Sequence, residues 1–599
     1  MKLFIIFFYF LKDEIKINLR RIKKLYVFFK KFSILRLLLY LFNNSVVPSR
    51  DKIFRNYILK NSKKWKNNND LKNLDNKKVL ITNIVNHPAY TATEIVIGKN
   101  LVEMFNADGI ALLNEYNLKQ ILLFKSFGIK EIIILSNYNI FVRFRYFIKA
   151  YLIIKSCKSM NEFLKFNINN VEIGKIVYDN YLRFSGIGTT NKFESEFYVF
   201  LSKSLQIYDQ IDKHFKKHKI IATVQSEVQF IPGCIIFQHA LANGINVYSK
   251  AGYSNSFTVK KYSHLSESHT AKYRFSKELY ELINKNIKKE AVEIGGEIIK
   301  KRFEDLPKYQ KLVDVYETVL FARGKKFIKI KKQNISKEDL CKKFNWNINT
   351  PIGIIFSPDL TDGVFLSSWS LFKDNLTWLR ETLKEITKIK NVNWLVKSHP
   401  NDEIKNVITS TVSECEKFCS NNNHIKVFPI NITIGSIPKF IHFAITFNGS
   451  PASEYTCFGI PVITPCESEC TGLGYTIDTH SKKEYFFQLQ NAIKLKKLNN
   501  QQIELAKIFI FIMIELTQIT SNLIAPFTAR VDAFDEKIFW TEMTKLLDQY
   551  TYEKDLIKKM MKMQEINNDR HMIDHRIIKK EKTFNGLSGG LDDKQIFAP

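Results

Sequence analysis

The chain is short of the residues that define several protein classes. Its 599 residues include only 22 Gly and 14 Pro, which excludes collagen-like and proline-rich chains. The eight cysteines are spread thinly along the sequence, so a disulfide-stapled scaffold is excluded and a reducing compartment is favoured. No run of about 20 uncharged apolar residues occurs, so the sequence predicts no membrane-spanning helix.

Acidic residues are also in deficit. Asp and Glu number 59 against 90 Lys and Arg, a formal net charge of +31. Part of this charge reflects a Lys- and Asn-rich composition along the whole chain, but the balance also favours an anionic partner such as nucleic acid, an acidic membrane or a phosphorylated substrate. Hydrophobic residues make up 45%, which is close to globular averages, and the length predicts two or three domains.

The first 60 residues combine apolar and basic side chains. Residues 3–11 form an apolar run too short to span a bilayer, and no small-residue cleavage site follows it. Aromatic and aliphatic residues then alternate with cations, which is typical of an amphipathic helix in an anionic leaflet. We expect a basic amphipathic segment and linker over 1–74, with residues 1–60 binding an anionic membrane surface. The alternative is that these helices pack on the protein's own body.

Short apolar runs alternate with helical patterns in two stretches of the chain. The predicted strands are 78–84, 109–113, 131–135, 220–224 and 246–248, then 352–356, 393–396, 425–428, 443–446 and 461–464. This alternation predicts an α/β fold of two Rossmann-like domains facing a cleft, behind a helical basic N-terminal extension. We expect domains at 75–265 and 346–530, a helical connector at 266–345, and C-terminal helices with a polar tail at 531–599. Helices are predicted at 371–386 and 450–458.

A turn signal follows the predicted strand that ends at Thr446. Gly449 permits a tight turn, Ser450 can cap a helix and Pro451 suits its first position. The N-terminus of a helix presents free N–H groups and the positive end of its dipole, which suits a phosphate. Glu454 lies one turn further, where it can accept hydrogen bonds from ribose hydroxyls. The same motif is typical of a capped helix without a ligand.

A second signal is Lys397-Ser398-His399-Pro400 at the end of another predicted strand. Proline stops the strand, so we expect His399 to point toward a ligand. Histidine changes its protonation near pH 7, so His399 can donate to a leaving phosphate or act as a general acid. Lys397 adds positive charge at the same place.

Several motifs are informative as a set. They are Asp362, Leu371-Phe372, Trp378-Leu379, the 393–400 segment, Thr446, Gly449-Ser450, Glu454, the 458–463 segment, and in the first domain 173–179 and 244–248. This set resembles bacterial surface-carbohydrate and capsule polysaccharide biosynthesis proteins. The resemblance covers roughly residues 75–500 and is densest over 350–490.

The resemblance implies a GT-B fold and a metal-independent glycosyltransferase that uses a nucleotide-activated sugar, with CMP-linked acidic sugars as the related donor class. It implies that His399, Gly449 and Ser450 hold the donor phosphate and that Glu454 holds the ribose. We place Lys397 and Thr446 in the same donor-nucleotide site.

No cofactor and no metal are expected, because positive side chains and a helix dipole would stabilise the charge on the leaving phosphate. The expected partners are a nucleotide-sugar donor, a glycan or lipid-linked glycan acceptor and an anionic membrane, without nucleic acid. The expected location is cytoplasmic, on the inner face of the cytoplasmic membrane.

Glycosyl transfer also needs a carboxylate or an equivalent group near the reacting atoms. The first domain offers Glu227, Asp179 and Glu94, and Glu227 stands where the resembling proteins carry a histidine. Asp362 of the second domain matches the family. We therefore predict Glu227, His399 and Asp362 as catalytic residues, while each carboxylate is also open to a role as a helix cap or an ion-pair partner.

Other function classes stay open on the sequence. A CDP-polyol phosphotransferase would use the same basic, phosphate-binding residues. The net charge alone would suit a non-catalytic binder of nucleic acid or anionic lipid, and an inactive assembly protein is a further alternative. Cys415-x3-Cys419 and Cys466-x3-Cys470 fall within the loose range of zinc spacings, but no paired histidines follow and no zinc site is expected.

Overall fold

The structure is a computed structural model that describes residues 2–31, 36, 47–65, 75–135, 138–251, 256–269, 275–304, 333–399, 402, 407–527, 534–551 and 555–580. The chain divides into two compact units. The first comprises Met1–Tyr181, Asn191–Ser268 and Gln518–Ile573, and the second comprises Leu182–Thr190, His269–Thr517 and Asp574–Pro599. Residues 66–74 at the end of the predicted segment and linker, and the last part of the tail, 581–599, lie outside the described residues.

The strands and helices are numbered in chain order. The strands are β1 Lys77–Asn83, β2 Asp108–Leu113, β3 Glu131–Ile134, β4 Lys219–Gln225, β5 Asn246–Ala251, β6 Ser256–Tyr262, β7 Ile352–Phe356, β8 Asn393–Lys397, β9 Ile425–Val427, β10 Phe443–Thr446, β11 Val462–Thr464, β12 Ile477–Asp478 and β13 Ile519–Thr520. The helices are α1 Lys2–Lys31, α2 Lys52–Trp65, α3 Pro88–Met104, α4 Leu118–Ser126, α5 Ile140–Ser156, α6 Met160–Phe163, α7 Ile173–Ser185, α8 Ser195–Lys217, α9 Gly233–Ala242, α10 Lys277–Asn286, α11 Lys288–Glu304, α12 Lys337–Phe344, α13 Asn375–Ile386, α14 Thr411–Cys419, α15 Pro451–Glu454, α16 Lys482–Gln490, α17 Asn500–Phe511, α18 Glu536–Gln549, α19 Leu556–Asn567 and α20 His575–Ile578.

Within the described residues, the first unit is built on a seven-stranded sheet in the order β13-β6-β5-β4-β1-β2-β3. Strands β1 to β5 run parallel, and β6 and β13 are antiparallel to their neighbours. The central strands are apolar runs because helices cover them. Helix α3 approaches β1 closely, since a Cβ on Gly98 would lie 2.3 Å from Cδ1 of Ile81. Only glycine permits this approach.

The second unit holds a six-stranded sheet within its described part, in the order β12-β11-β10-β7-β8-β9, with parallel pairs throughout. Numbered within the unit, the order is 6-5-4-1-2-3, which is the doubly wound Rossmann order. The order reverses between β7 and β10, and the first unit shows the same reversal between β1 and β4. The predicted α/β class with two Rossmann-like domains is confirmed, and the predicted cleft stays a prediction.

The C-terminal segment returns to the first unit. Strand β13 pairs with β6, with Ile519 opposite Phe257, and helices α18 and α19 bury Trp540, Met543 and Met560 in the core of the first unit. The sequence predicts that the second domain runs to residue 530 and is followed by C-terminal helices and a polar tail. Helices α18 and α19 lie in that region, and Met560 and Met561 of α19 are core residues of the first unit rather than part of a polar tail.

Helix α2 belongs to the same core. The ring centroid of Trp540 lies 5.1 Å from that of Phe54 and 5.0 Å from that of Tyr57, and Trp65 packs against Phe127 and Tyr550. Among the described residues of 1–60, most of the exposed apolar surface is therefore on α1; residues 32–35 and 37–46 lie outside the described part.

The predicted helix at 371–386 begins four residues late. Asp374 caps α13 through a hydrogen bond from the Thr377 backbone N–H to its carboxylate, at 2.8 Å. Leu371 precedes the helix and donates its own N–H to the Pro465 carbonyl at 3.1 Å. The N-cap, rather than the apolar spacing, decides where this helix starts.

Candidate functional site

The candidate site of the second unit lies at the carboxyl ends of β10, β7 and β8. The register places Thr446 opposite Phe356, and Phe356 opposite Lys397. With strands about 4.8 Å apart, Thr446 and Lys397 are roughly 10 Å apart across this edge. The loops that begin at 357, 398 and 447 leave from the same edge. Ligands of open parallel sheets bind where the strand order reverses, which here is between β7 and β10.

His399 follows β8 and is half-buried. Burial lowers the pKa of His399 to about 4, with the Lys397 charge acting in the same direction and Asp359 opposing it. A lowered pKa favours the neutral imidazole, and the predicted general-acid role of His399 stays a prediction. A neutral imidazole still has one N–H to donate, and an anion bound beside it would raise its pKa.

Hydrogen bonds fix the loop after β7, which carries Asp359 and Asp362. The Asp359 carboxylate is 8% exposed and accepts hydrogen bonds from the N–H (3.0 Å) and the hydroxyl (2.9 Å) of Thr361. Asn375 donates to the carbonyls of both Asp359 (2.7 Å) and Asp362 (3.2 Å). These contacts fix the loop at the mouth of the site.

Arg183, near the end of α7, is a site residue that the sequence reasoning missed. Its guanidinium forms an ion pair with Asp362 and lies 3.8 Å from the Asp359 carboxylate. The carboxylate predicted as catalytic thus has a cationic partner. No local signal announces this pair, because the two residues are 179 positions apart.

The turn after β10 differs from its prediction. Pro451 occupies the first helical position as expected, but α15 is four residues long and is followed by a 3₁₀ turn at Thr456–Phe458. The predicted helix over 450–458 is therefore interrupted. Ser450 is exposed and makes no capping hydrogen bond. A single turn carries only part of a helix dipole, so charge at this edge comes mainly from side chains.

Gly449 lies in a tightly packed part of this turn. A Cβ here would lie 3.0 Å from Cδ of Pro451 and 3.2 Å from the Thr446 hydroxyl oxygen. Glycine therefore lets the loop after β10 fold back against Thr446, which is itself buried.

Glu454 lies in α15 and is 5% exposed. It pairs with the guanidinium of Arg302 at 2.7 Å. Arg302 is in the last turn of α11, within the stretch that the sequence analysis regarded as a connector. The predicted role of Glu454 at a ribose stays a prediction, and a ribose there would share this ion pair.

Of the carboxylates predicted in the first unit, Glu227 accepts backbone hydrogen bonds and Asp179 is buried. Glu227 accepts the N–H groups of Gln229 (2.6 Å) and Phe230 (2.9 Å), and so closes the turn after β4. Asp179 lies on α7 and is buried. The catalytic role of Glu227 stays a prediction.

Glu94 stands apart from these two carboxylates. It is fully buried at the reversal of strand order in the first unit, and one oxygen accepts the Ser226 N–H at 2.7 Å. Its other oxygen has no hydrogen bond within the described residues. Burial raises the pKa of Glu94 to about 8, with the Lys250 charge and the Ser226 contact opposing and Glu227 adding to the rise.

Lys250 of β5 is a residue that the sequence analysis did not single out. Its Nζ lies 5.5 Å, 5.8 Å and 5.7 Å from the ring centroids of Tyr90, Phe257 and Phe527. Burial lowers the pKa of Lys250 to about 7. Glu94 and Lys250 therefore both change protonation close to neutral pH, which is the property that acid–base chemistry needs.

Metal and membrane sites were also sought among the described residues. Within these ranges, no group of three or more His, Cys, Asp or Glu is placed to hold a metal ion. Of the helices in the described part of the chain, none is long and apolar enough to cross a membrane.

The strand orders of the two sheets define a doubly wound α/β protein with two units. Among solved structures, the chain is similar to the KpsC beta Kdo 2,4 transferase of Thermosulfurimonas dismutans, with 12% identity over 49% of this chain and 79% of that chain and a TM-score of 0.27. It is similar to a glycosyltransferase of Rickettsia africae, with 11% identity over 79% of this chain and 98% of that one and a TM-score of 0.23.

A third similar structure is the UDP-GlcNAc 2-epimerase of Neisseria meningitidis bound to UDP-GlcNAc, with 8% identity over 79% of this chain and 98% of that one and a TM-score of 0.21. No protein-family model matches the chain, and no curated protein matches it. At these identities, the chemistry must be argued from the chain's own residues.

Proposed function

We propose that this chain is a glycosyltransferase that moves a sugar from a nucleotide-activated donor to a growing cell-surface polysaccharide, a capsule or a lipopolysaccharide. One observation carries the proposal: the Lys397–His399 loop, the Asp359 loop and the Gly449-Ser450 turn leave one sheet edge at the reversal of strand order. That edge is where doubly wound sheets bind nucleotides. The motif resemblance in the sequence makes CMP-linked acidic sugars the first donor class.

In this proposal, side chains of the second unit hold the donor phosphate. Lys397 supplies a positive charge, and neutral His399 donates its single N–H to a phosphate oxygen. Ser450 is exposed at the turn after β10, and its hydroxyl is proposed as a further donor. When the bond between the sugar and the phosphate breaks, negative charge develops on the leaving oxygen, and these fixed donors stabilise it. Metal independence is part of the proposal, because cationic side chains supply this stabilisation.

A carboxylate of the first unit is proposed to take the proton of the acceptor hydroxyl. We propose Glu94 for this role ahead of Glu227, acting in its ionised form, whose population grows as the pH rises toward its pKa of about 8. The Glu227 carboxylate already holds two backbone N–H groups, whereas one Glu94 oxygen has no hydrogen bond among the described residues. The charge of Lys250 lowers the pKa of Glu94, against the rise that burial causes. The pKa of Glu94 therefore stays within reach of neutral pH.

We further propose that the protein works at an anionic membrane, on the cytoplasmic face where lipid-linked glycan acceptors lie. Among the described side chains of helix α1, a series of exposed large apolar residues is spaced three or four positions apart, so they lie along one side of the helix. They are Phe8, Leu11, Ile15, Leu19 and Ile22. Basic residues of the same helix lie beside this stripe, which suits an anionic leaflet.

A thermal-shift screen against CMP, CDP, UDP and GDP tests the nucleotide site. A ligand that binds only the folded state at about a hundred times its dissociation constant stabilises that state by about 2.7 kcal/mol. We expect a selective shift with one nucleotide class, and loss of the shift in His399→Gln and Lys397→Met. Lys390→Met, an exposed lysine near the other end of β8, is the matched control and should keep the shift.

Two outcomes would contradict the proposal. One is the absence of a shift with every nucleotide in a protein that circular dichroism shows to be folded. The other is an equal loss of the shift in the Lys390 control, which would mean that general charge rather than this edge binds the nucleotide.

A further inference from the structure

One cysteine differs from all the others. The eight cysteines are described and none is in a disulfide. The pKa of Cys419 is lowered, whereas the pKa of each other cysteine is raised, for the most part by burial; these are Cys157, Cys234, Cys341, Cys415, Cys457, Cys466 and Cys470. Cys419 is also half-buried rather than buried, so a small solute can reach it.

A second thiol lies beside Cys419. Cys415 and Cys419 are one helical turn apart on α14, and their sulfur atoms are 3.3 Å apart. Cys415 is fully buried in the core of the second unit. Either sulfur can donate in this contact. The hydrogen bond with Cys415 is the largest cause that lowers the pKa of Cys419; Lys426 of β9 acts in the same direction, while burial and Glu416 oppose them. An accessible cysteine with a lowered pKa and a second thiol in contact with it is the arrangement of redox-active cysteines.

We propose that Cys415 and Cys419 form an oxidation site for hydroperoxides, in which Cys419 reacts first and Cys415 resolves the product as a disulfide. The Cys419 thiolate attacks one peroxide oxygen, the O–O bond breaks, and the leaving hydroxide takes up a proton as water. Cys419 is then a sulfenic acid. The Cys415 sulfur attacks the Cys419 sulfur, and the sulfenic oxygen leaves with two protons as a second water. The two sulfurs are oxidised and one peroxide is reduced to two waters.

The disulfide changes the end of α14. The Cβ atoms of residues four apart in a helix are about 5–6 Å apart, whereas a disulfide needs its Cβ atoms about 3.8 Å apart. Closing the bond therefore unwinds the last turn. Cys419 is the last residue of α14, so this unwinding breaks few backbone hydrogen bonds. The site thus combines an oxidation with a local and reversible change of structure.

Peroxide treatment of the full-length reduced protein tests this proposal. The protein is exposed to one equivalent of hydrogen peroxide, alkylated, digested with trypsin and analysed by mass spectrometry. Trypsin cuts after Lys417, which lies between the two cysteines, so the disulfide holds two separate peptides together. We expect this linked pair, lost again on treatment with dithiothreitol, while the other six cysteines stay alkylated. Amide exchange over 418–423 should become roughly tenfold faster in the oxidised protein.

Variants separate the two roles. In Cys415→Ala, Cys419 should stop at a sulfenic acid that dimedone traps, and in Cys419→Ser no linked peptide should form and Cys415 should stay reduced. Cys157→Ser, which removes another half-buried cysteine, should leave the cross-link unchanged. The proposal is overturned if a folded wild-type protein gives no linked peptide, or if Cys157 is oxidised as fast as Cys419.

Discussion

At the scale of single residues, three ionisable side chains favour their neutral forms. Burial is the largest cause for His399, Glu94 and Lys250 alike. The residue type predicts a charge or a proton donor, but the protonation state depends on solvent exposure, which neighbouring elements determine. The position of His399 just after the end of β8 is as predicted, whereas its role as a general acid stays a prediction.

Glu94 gives a prediction for stability against pH. Its pKa of about 8 in the folded state lies above the unfolded value of about 4.3, so the folded state binds more protons between these values. The resulting stabilisation is complete below the unfolded pKa and is lost as the pH rises through the folded pKa. Glu94→Gln, which resembles the protonated carboxyl, should remove this loss, a change in slope of about 1 kcal/mol per pH unit.

Urea unfolding at pH 5, 6 and 7 measures this slope. The pH range stays at or below the pKa of Lys250, which is about 7. Above that pH, Lys250 makes the free energy of unfolding rise with pH, which is opposite in sign to the effect of Glu94. Glu196→Gln, an exposed residue on α8, is the control and should keep the wild-type slope. A wild-type slope in Glu94→Gln would show that Glu94 is ionised in the folded protein.

At the scale of elements, α1 has two apolar sides. On one side, Phe10 packs against Phe144 and Phe147 of α5 with ring centroids 5.5 Å and 5.4 Å apart, and Glu14 pairs with Arg143. On the other side, Ile15, Leu19 and Ile22 are 60%, 61% and 68% exposed. The helix therefore packs on the protein body, as one sequence interpretation had it, and still leaves an apolar stripe uncovered.

Vesicle flotation tests whether this stripe enters a membrane. The wild-type protein should float with phosphatidylglycerol vesicles and not with phosphatidylcholine vesicles, because the stripe lies among basic residues. Replacing Ile15, Leu19 and Ile22 with Ser should lower the bound fraction at least tenfold, since each side chain contributes about 1.5–3 kcal/mol when it leaves water.

The control variant carries Ile538→Ser and Ile566→Ser, which are 63% and 70% exposed on other helices. It should float like the wild type. Equal flotation of the α1 variant and the wild type would remove the membrane role of this helix.

At the scale of the whole molecule, the chain order does not follow the two units. Gln518–Ile573 returns to the first unit and contributes Trp540, Met543 and Met560 to its core. A chain that ends at residue 517 should therefore leave the first unit without part of its core and fail to unfold cooperatively. Thermal unfolding followed by circular dichroism measures this. A chain that ends at residue 580 is the control and should match the full-length protein, and a cooperative transition in both would contradict the prediction.

The sequence by itself determined the class of fold and the strands that carry the site. Strands β7 and β10 begin and end at the predicted residues, because a buried parallel strand is a continuous apolar run that the sequence displays directly. The positions of Lys397, His399 and Gly449 at strand ends follow from those runs. The polar residues that end an apolar run stand next to it in the sequence. The end of a strand can therefore be predicted without knowing which distant segments pack against it.

Only the tertiary structure decided how these strands are ordered and which partners the site residues have. Arg183 meets Asp362, Arg302 meets Glu454, and Lys250 acts on Glu94, across separations of more than a hundred residues in each case. A strand such as β13 is two residues long and exists because β6 offers it an open edge. Burial, ion pairing and edge pairing depend on the packing of distant segments, so no pattern along the chain could specify them.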